Sequence, residues 1–108
     1  MTVTLVEEYD TLWPLWFEQL KTRLEGVLHG IHHVIEHVGS TAVPGMTAKP
    51  IIDIVIVCEP GGFPVIRDRM ATIGYVHRGD LGIQGREAFN ATEVALRLNL
   101  PPHHLYAC

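Results

Sequence analysis

Between residues 12 and 28 the apolar positions recur at helical spacing: Leu12, Trp13, Trp16, Phe17, Leu20, Leu24, Val27 and Leu28. That spacing predicts one amphipathic helix with a broad buried face. Pro14 fits only the first turn, Asp10 or Thr11 can cap the start, and Gly30 stops the end. Trp13, Trp16 and Phe17 share the face of Leu20 and Leu24, so they are read as core rather than as a stacking platform. Residues 3–6 form a short apolar extended piece. Residues 31–38 read as a first strand, and 41–48 as a short helical turn and loop interrupted by Pro44-Gly45. The run Ile51-Ile52-Asp53-Ile54-Val55-Ile56-Val57 is almost wholly β-branched, which predicts a central strand over 50–58. Its near-continuous apolar character suggests burial on both faces, or on one face under a helix layer. A second helix is predicted over 63–73, with Phe63, Ile66, Met70 and Ile73 inward and Gly74 as its stop. Short strands follow at 75–77 and 103–108. Glu93-Val94-Ala95-Leu96-Arg97-Leu98 fits a helix or a strand.

One position breaks the apolar pattern. A carboxylate inside the central strand destabilises it unless Asp53 is paired, solvated at a strand end, or bound to a cation. Upstream, Gly39 permits close backbone approach to a ligand, and Ser40 supplies a hydroxyl. Amides of a helical turn beginning at Thr41 would face an anion. Asp53 could hold magnesium between protein and phosphate, since hard cations prefer carboxylate and phosphate oxygens, and Lys49 is a nearby positive charge. The residues allow a plainer reading too: Gly39 and Gly45 serve turns, Ser40 caps a helix, and Asp53 is a structural acceptor. His37 either reaches this site or bonds the turn. If the last strand pairs beside that of Asp53, His104 and Tyr106 share a face and approach the site, whereas a structural role suits either His103 or His104. The loop Arg78 to Glu87 is a phosphate contact or a long hairpin connection. His29, His33 and His37 recur every four residues, a ligand spacing only on one continuous helix, which Gly30 interrupts.

Gly39-Ser40 followed by Asp53-Ile54 resembles the signature of the nucleotidyltransferase superfamily: Gly-Gly or Gly-Ser after a strand, then acid–apolar–acid on the next. The longer strings from Glu36 to Gly45 and from Ala48 to Ile54 resemble the GrpB family within it. Tyr9-Asp10, Trp13-Pro14, Phe17-Glu18, Gly74-Tyr75, Gly82-Ile83, Gly85-Arg86 and His103-His104-Leu105 agree, so the likeness spans nearly the whole chain. The resemblance implies an α+β fold: a short mixed sheet with two main helices packed on one face, in a single domain over residues 1–108. It implies nucleoside triphosphate binding at Gly39 and Ser40, with Asp53 as catalytic and metal ligand for Mg2+. Lys49 and Arg86 contact phosphate, His37 and His104 lie just behind, and an unidentified acceptor takes the transferred group. The superfamily's second acid falls on Val55, which the GrpB family commonly lacks as well. GrpB proteins usually continue past the His-His-Leu strand with an acidic residue and a helical segment, so this chain is expected to lack that segment; read as a fragment, its last strand is left uncovered, which would favour self-association as a homodimer. The alternative is a catalytically degenerate nucleotide-binding or interaction module, linked to coenzyme A metabolism because GrpB-like domains also occur fused to dephospho-coenzyme A kinase.

Composition narrows the classes. At 108 residues with 47% hydrophobic content the chain suits one folded domain. A net charge of −4 gives no support for a general nucleic-acid or acidic-membrane binder. No apolar stretch approaches the roughly 20 residues of a membrane span, and no signal peptide is visible. Cys58 and Cys108 make no disulfide framework, so a cytoplasmic protein with free thiols is expected.

Overall fold

The computed structural model describes residues 6–108. The extended piece expected at 3–6 therefore falls almost entirely outside the described residues. Five strands form one mixed sheet: β1 (His33–Val38), β2 (Ile52–Cys58), β3 (Val76–His77), β4 (Glu87–Asn90) and β5 (His103–Ala107), in the spatial order β1-β2-β5-β4-β3. β2 pairs antiparallel with β1 and parallel with β5, and the other pairings are antiparallel.

Strand alternation divides the sheet into two unlike faces. Ile35, Ile52, Ile54, Ile56, Leu105 and Phe89 point to the buried face. Helix α1 (Leu12–Val27) lays Trp13, Phe17, Leu20 and Leu24 on that face, at the spacing read from the sequence. Its start is held by Asp10 Oδ1, which accepts from the Leu12 amide at 2.8 Å. Helix α2 (Phe63–Ala71) adds Ile66 and Met70, and its Arg69 donates to the carbonyls of Val27 and His29, satisfying backbone acceptors just past the end of α1. Fully burying a side chain the size of Leu or Ile contributes about 1.5–3 kcal/mol, so this single layer is the main source of stability. The central strand is thus buried on one face only, under the helices.

The two main helices stand as expected, and a short third helix joins them. The ambiguous segment is α3 (Thr92–Leu98). Burial follows the helix and not the alternation of Val94, Leu96 and Leu98, because Leu96 is exposed and Val94 and Ala95 are the buried pair. Local chemistry decides: Asn90 Oδ1 accepts from the Thr92 amide, and Asn99 turns left-handed at φ 52° to end the helix, with Leu100 N–H donating to the Ala95 carbonyl. No helix among the described residues is long and apolar enough to cross a membrane.

Candidate functional site

The second face of the sheet carries no helix among the described residues. The pairing register places Val38, Asp53 and His104 in one row across β1, β2 and β5, and Glu36, Val55 and Tyr106 in the next. Asp53 and His104 are direct neighbours across the parallel seam. His104 Nδ1 donates to Asp53 Oδ1 at 2.8 Å. In the neutral ring this leaves Nε2 with its lone pair free. Both side chains stay partly open to solvent. The carboxylate within the β-branched run is therefore paired and solvated at once.

The other carboxylate oxygen faces the Gly-Ser turn. Gly39 has φ +76°, and a Cβ built there would lie 2.5 Å from Asp53 Oδ2. Only glycine allows the turn to pass so close to the acid. Ser40–Ala42 then form a single 3-10 turn. From the buried side, Thr41 anchors it: His37 Nε2 donates to Thr41 Oγ1 at 2.9 Å, and the hydroxyl leans on the Ile51 carbonyl at 3.5 Å. His37 itself stacks on Phe17, with ring centroids 4.8 Å apart. Burial lowers the His37 pKa below its ordinary value, and the negative charge of Asp53 partly opposes that shift. The neutral, donating form is thereby favoured. Farther along, the segment carrying Lys49 is tied down by paired backbone bonds between Glu7 and Ala48.

These pieces enclose a cleft of about 340 Å³ lined by Ser40, Thr41, Thr47, Lys49, Ile51, Asp53 and His104, among others. Of the residues singled out in the sequence, the structure brings Ser40, Lys49, Asp53 and His104 together, with Gly39 against the acid. His37 lies behind the turn, on the helix side. Arg86 is not brought in. Its guanidinium stacks on Tyr106, 4.1 Å from the ring centroid, one side chain farther along the open face. The loop before it is a hairpin connection between β3 and β4, closed by Arg78 N–H to the Ala88 carbonyl and Ala88 N–H to the Gly79 carbonyl. His103, one residue from His104, points the opposite way and is fully bonded: Tyr75 O–H donates to its Nε2 at 2.7 Å, and its Nδ1–H donates to the Pro101 carbonyl at 2.7 Å.

Sequence reasoning did not single out Thr41 as the buried anchor of the turn or Tyr106 as the seat of Arg86. Both follow from strand register, which no local pattern carries.

The donor set bears on magnesium. A pair of metal ions needs at least two carboxylates, and Val55, in the next row on the face of Asp53, is apolar. Among the described residues no group of three His, Cys, Asp or Glu gathers to hold a metal, so His29, His33 and His37 do not form one either. One magnesium ion that enters on phosphate oxygens and needs a single protein carboxylate does fit Asp53.

The fold and the site define a small α+β domain in which a Gly-Ser turn presses on the carboxylate of the adjacent strand. The chain belongs to the GrpB family, whose model, described as GrpB protein, matches residues 3–108. It is 38% identical over 82 residues to UPF0157 protein YqkA of Bacillus subtilis, covering 75% of this chain and 24% of that protein. It is 33% identical over 84 residues to Glutamate-rich protein GrpB of Alkalihalophilus pseudofirmus, covering 71% of this chain and 45% of the relative. The crystal structure of conserved protein GrpB from Enterococcus faecalis superposes with a TM-score of 0.76 at 30% identity, covering 95% of this chain and 60% of that one. The matched region thus spans less than half the length of these two curated relatives.

Proposed function

We propose that the cleft beside Gly39 and Ser40 binds the phosphate end of a nucleoside triphosphate with its magnesium ion, and that the domain transfers a nucleoside monophosphate to an acceptor hydroxyl. The observation that carries this reading is the convergence of Ser40, Lys49 and the Asp53–His104 pair on one cleft. Each has a distinct part. Lys49 is a mobile point charge for phosphate oxygens. The Ser40 hydroxyl is a donor at the turn, and Gly39 lets the phosphate approach the backbone. Asp53 would hold the magnesium ion, which when bound neutralises charge on the phosphates. In the transfer, the acceptor oxygen bonds to the α-phosphorus as the bond to the β-phosphate oxygen breaks, pyrophosphate leaves, and the hydroxyl proton passes to Nε2 of His104.

A second reading is favoured by one observation, the apolar Val55 on the face where a second acid belongs. On that reading the domain binds nucleotide without turning it over. The experiment that tests the first step of both is paramagnetic broadening of backbone amide signals by Mn2+ with ATP or GTP, on the wild type and on Asp53→Asn. Broadening centred on Ser40 and Lys49 that disappears in the variant supports the site. Unchanged broadening in the variant removes Asp53 from the role, and no broadening in either sinks nucleotide binding here. Pyrophosphate release with a panel of hydroxyl acceptors then separates transfer from binding.

A further inference from the structure

His104 lines two cavities. Next to the polar cleft lies a second one, about 250 Å³, between α3 and the beginnings of β2 and β5. The two share Ile51 and His104 as walls. Their linings differ in kind. The first holds Lys49 and Asp53. The second is walled by Ile51, Ala95, Leu96, Leu100 and Pro102, and its further polar groups, such as Thr92 and Asn99, are neutral. His103, at its floor, has both ring nitrogens engaged and offers no free charge.

We infer that this second cleft is the acceptor subsite, and that it takes a small, uncharged, largely apolar molecule carrying a hydroxyl group. The inference rests on the nucleotide reading of the first cleft. Three features point to it. The subsite shares His104 and Ile51 with the first cleft but not Ser40 or Lys49, so a hydroxyl at the shared wall stands next to phosphate held in the first cleft. Its lining contains no carboxylate to balance a cationic acceptor and no cation to balance an anionic one, and an uncompensated charge placed there loses solvation without return. Its volume lies below the roughly 300–1,000 Å³ of sites for drug-sized ligands, which limits the occupant to a smaller body. A flat nucleobase is less well served, because apart from the two histidines the walls are aliphatic or small and polar and offer no aromatic surface for stacking.

The test compares two isosteric probes, cyclohexylmethanol and the cation cyclohexylmethylamine, by amide chemical shifts of the full chain with MgATP present and absent. The expected result is saturable shifts at Ala95, Leu100 and His104 with the alcohol, and at least about tenfold weaker binding of the amine. Leu96→Glu, at a position 79% exposed and so tolerant of change, should reverse that preference while thermal unfolding and the Mn2+–ATP broadening at Ser40 stay as in the wild type. Equal binding of alcohol and amine, or no shift at these residues with nucleotide bound normally, overturns the acceptor subsite alone. So do contacts between the adenine protons and Ala95 or Leu100, which would make this the base pocket. Alcohol binding without any nucleotide binding overturns the nucleotide reading, and the acceptor role with it.

Discussion

His104 donates from Nδ1 to Asp53 Oδ1 across the seam between the two parallel strands, the two residues standing opposite each other in register. The bond fixes the carboxylate's orientation and sets the histidine's tautomer, so each residue defines what the other can do.

Replacing His104 separates these roles. Asn can place an amide N–H close to the position of Nδ1, whereas Leu cannot. His104→Asn is expected to keep Mn2+–ATP affinity within about threefold of the wild type. His104→Leu is expected to weaken it by about tenfold, the scale of one lost bond to a charged group at a partly exposed site. Both affinities come from the same titration. Equal losses in the two variants would show that the donated bond is not what matters.

Gly39 and Gly45 offer a matched pair. Both have positive φ, but a Cβ at Gly39 meets Asp53 Oδ2 while one at Gly45 meets nothing within 4 Å. Gly45→Ala should cost only the strain of a left-handed residue, about 1–2 kcal/mol. Gly39→Ala should cost more and also displace the carboxylate. Urea unfolding measures the first effect, and the Asp53-dependent broadening measures the second.

Val55→Asp adds a second acid on the face of Asp53. It is expected to raise Mn2+ affinity at least severalfold, read by isothermal titration. The new charge stands opposite Glu36 in the register, so the apo variant should lose about 0.2–1 kcal/mol of stability. Unchanged Mn2+ affinity would argue that Asp53 does not hold the metal.

The buried Tyr75–His103 bond and the His37–Thr41 bond make stability depend on pH at both ends. Burial lowers His103, with the bond to Pro101 opposing, and burial also lowers His37. In both cases the unfolded chain takes up protons first. Their contribution is therefore complete above the ordinary value of 6.5 and shrinks as pH falls below it. Tyr75 is pushed up to about 12 by burial, from an ordinary 10.0. The folded form holds that proton longer, so its contribution is full below pH 10 and fades between 10 and 12. Urea midpoints across the pH range should trace a plateau with both shoulders. Tyr75→Phe should remove most of the alkaline shoulder and cost about 1–3 kcal/mol, because His103 Nε2 is left buried without a donor.

Much of this architecture is legible in the sequence because its signals are local. The spacing from Trp13 to Leu24 marks α1, and the β-branched run around Asp53 marks β2. The Gly-Ser turn is visible as a motif, and Asp53 as a charge out of place. What stays hidden depends on pairing. The strand after Pro102 can present either histidine outward, and only its register against β2 assigns His104 to the cleft and His103 to the core. Arg86 looks equally suited to phosphate until β4 is laid beside β5, where its guanidinium settles on Tyr106. The segment 92–98 stays open between helix and strand because its leucines alternate as in a strand, while the deciding cap comes from Asn90 outside the pattern.

The parallel seam also sets an order of assembly. Asp53 and His104 lie 51 positions apart, so β2 is translated long before the strand that completes it. Until then β1 can cover only one of its edges. The other edge, in the most β-prone stretch of the chain, stays open to pairing with other molecules. Closing a parallel pairing across such a separation is intrinsically slow. The residue that finishes the cleft is thus also the one that ends the chain's exposure to aggregation, and a weakened β5 should show itself first as poor yield during synthesis rather than as a poor site in the folded protein.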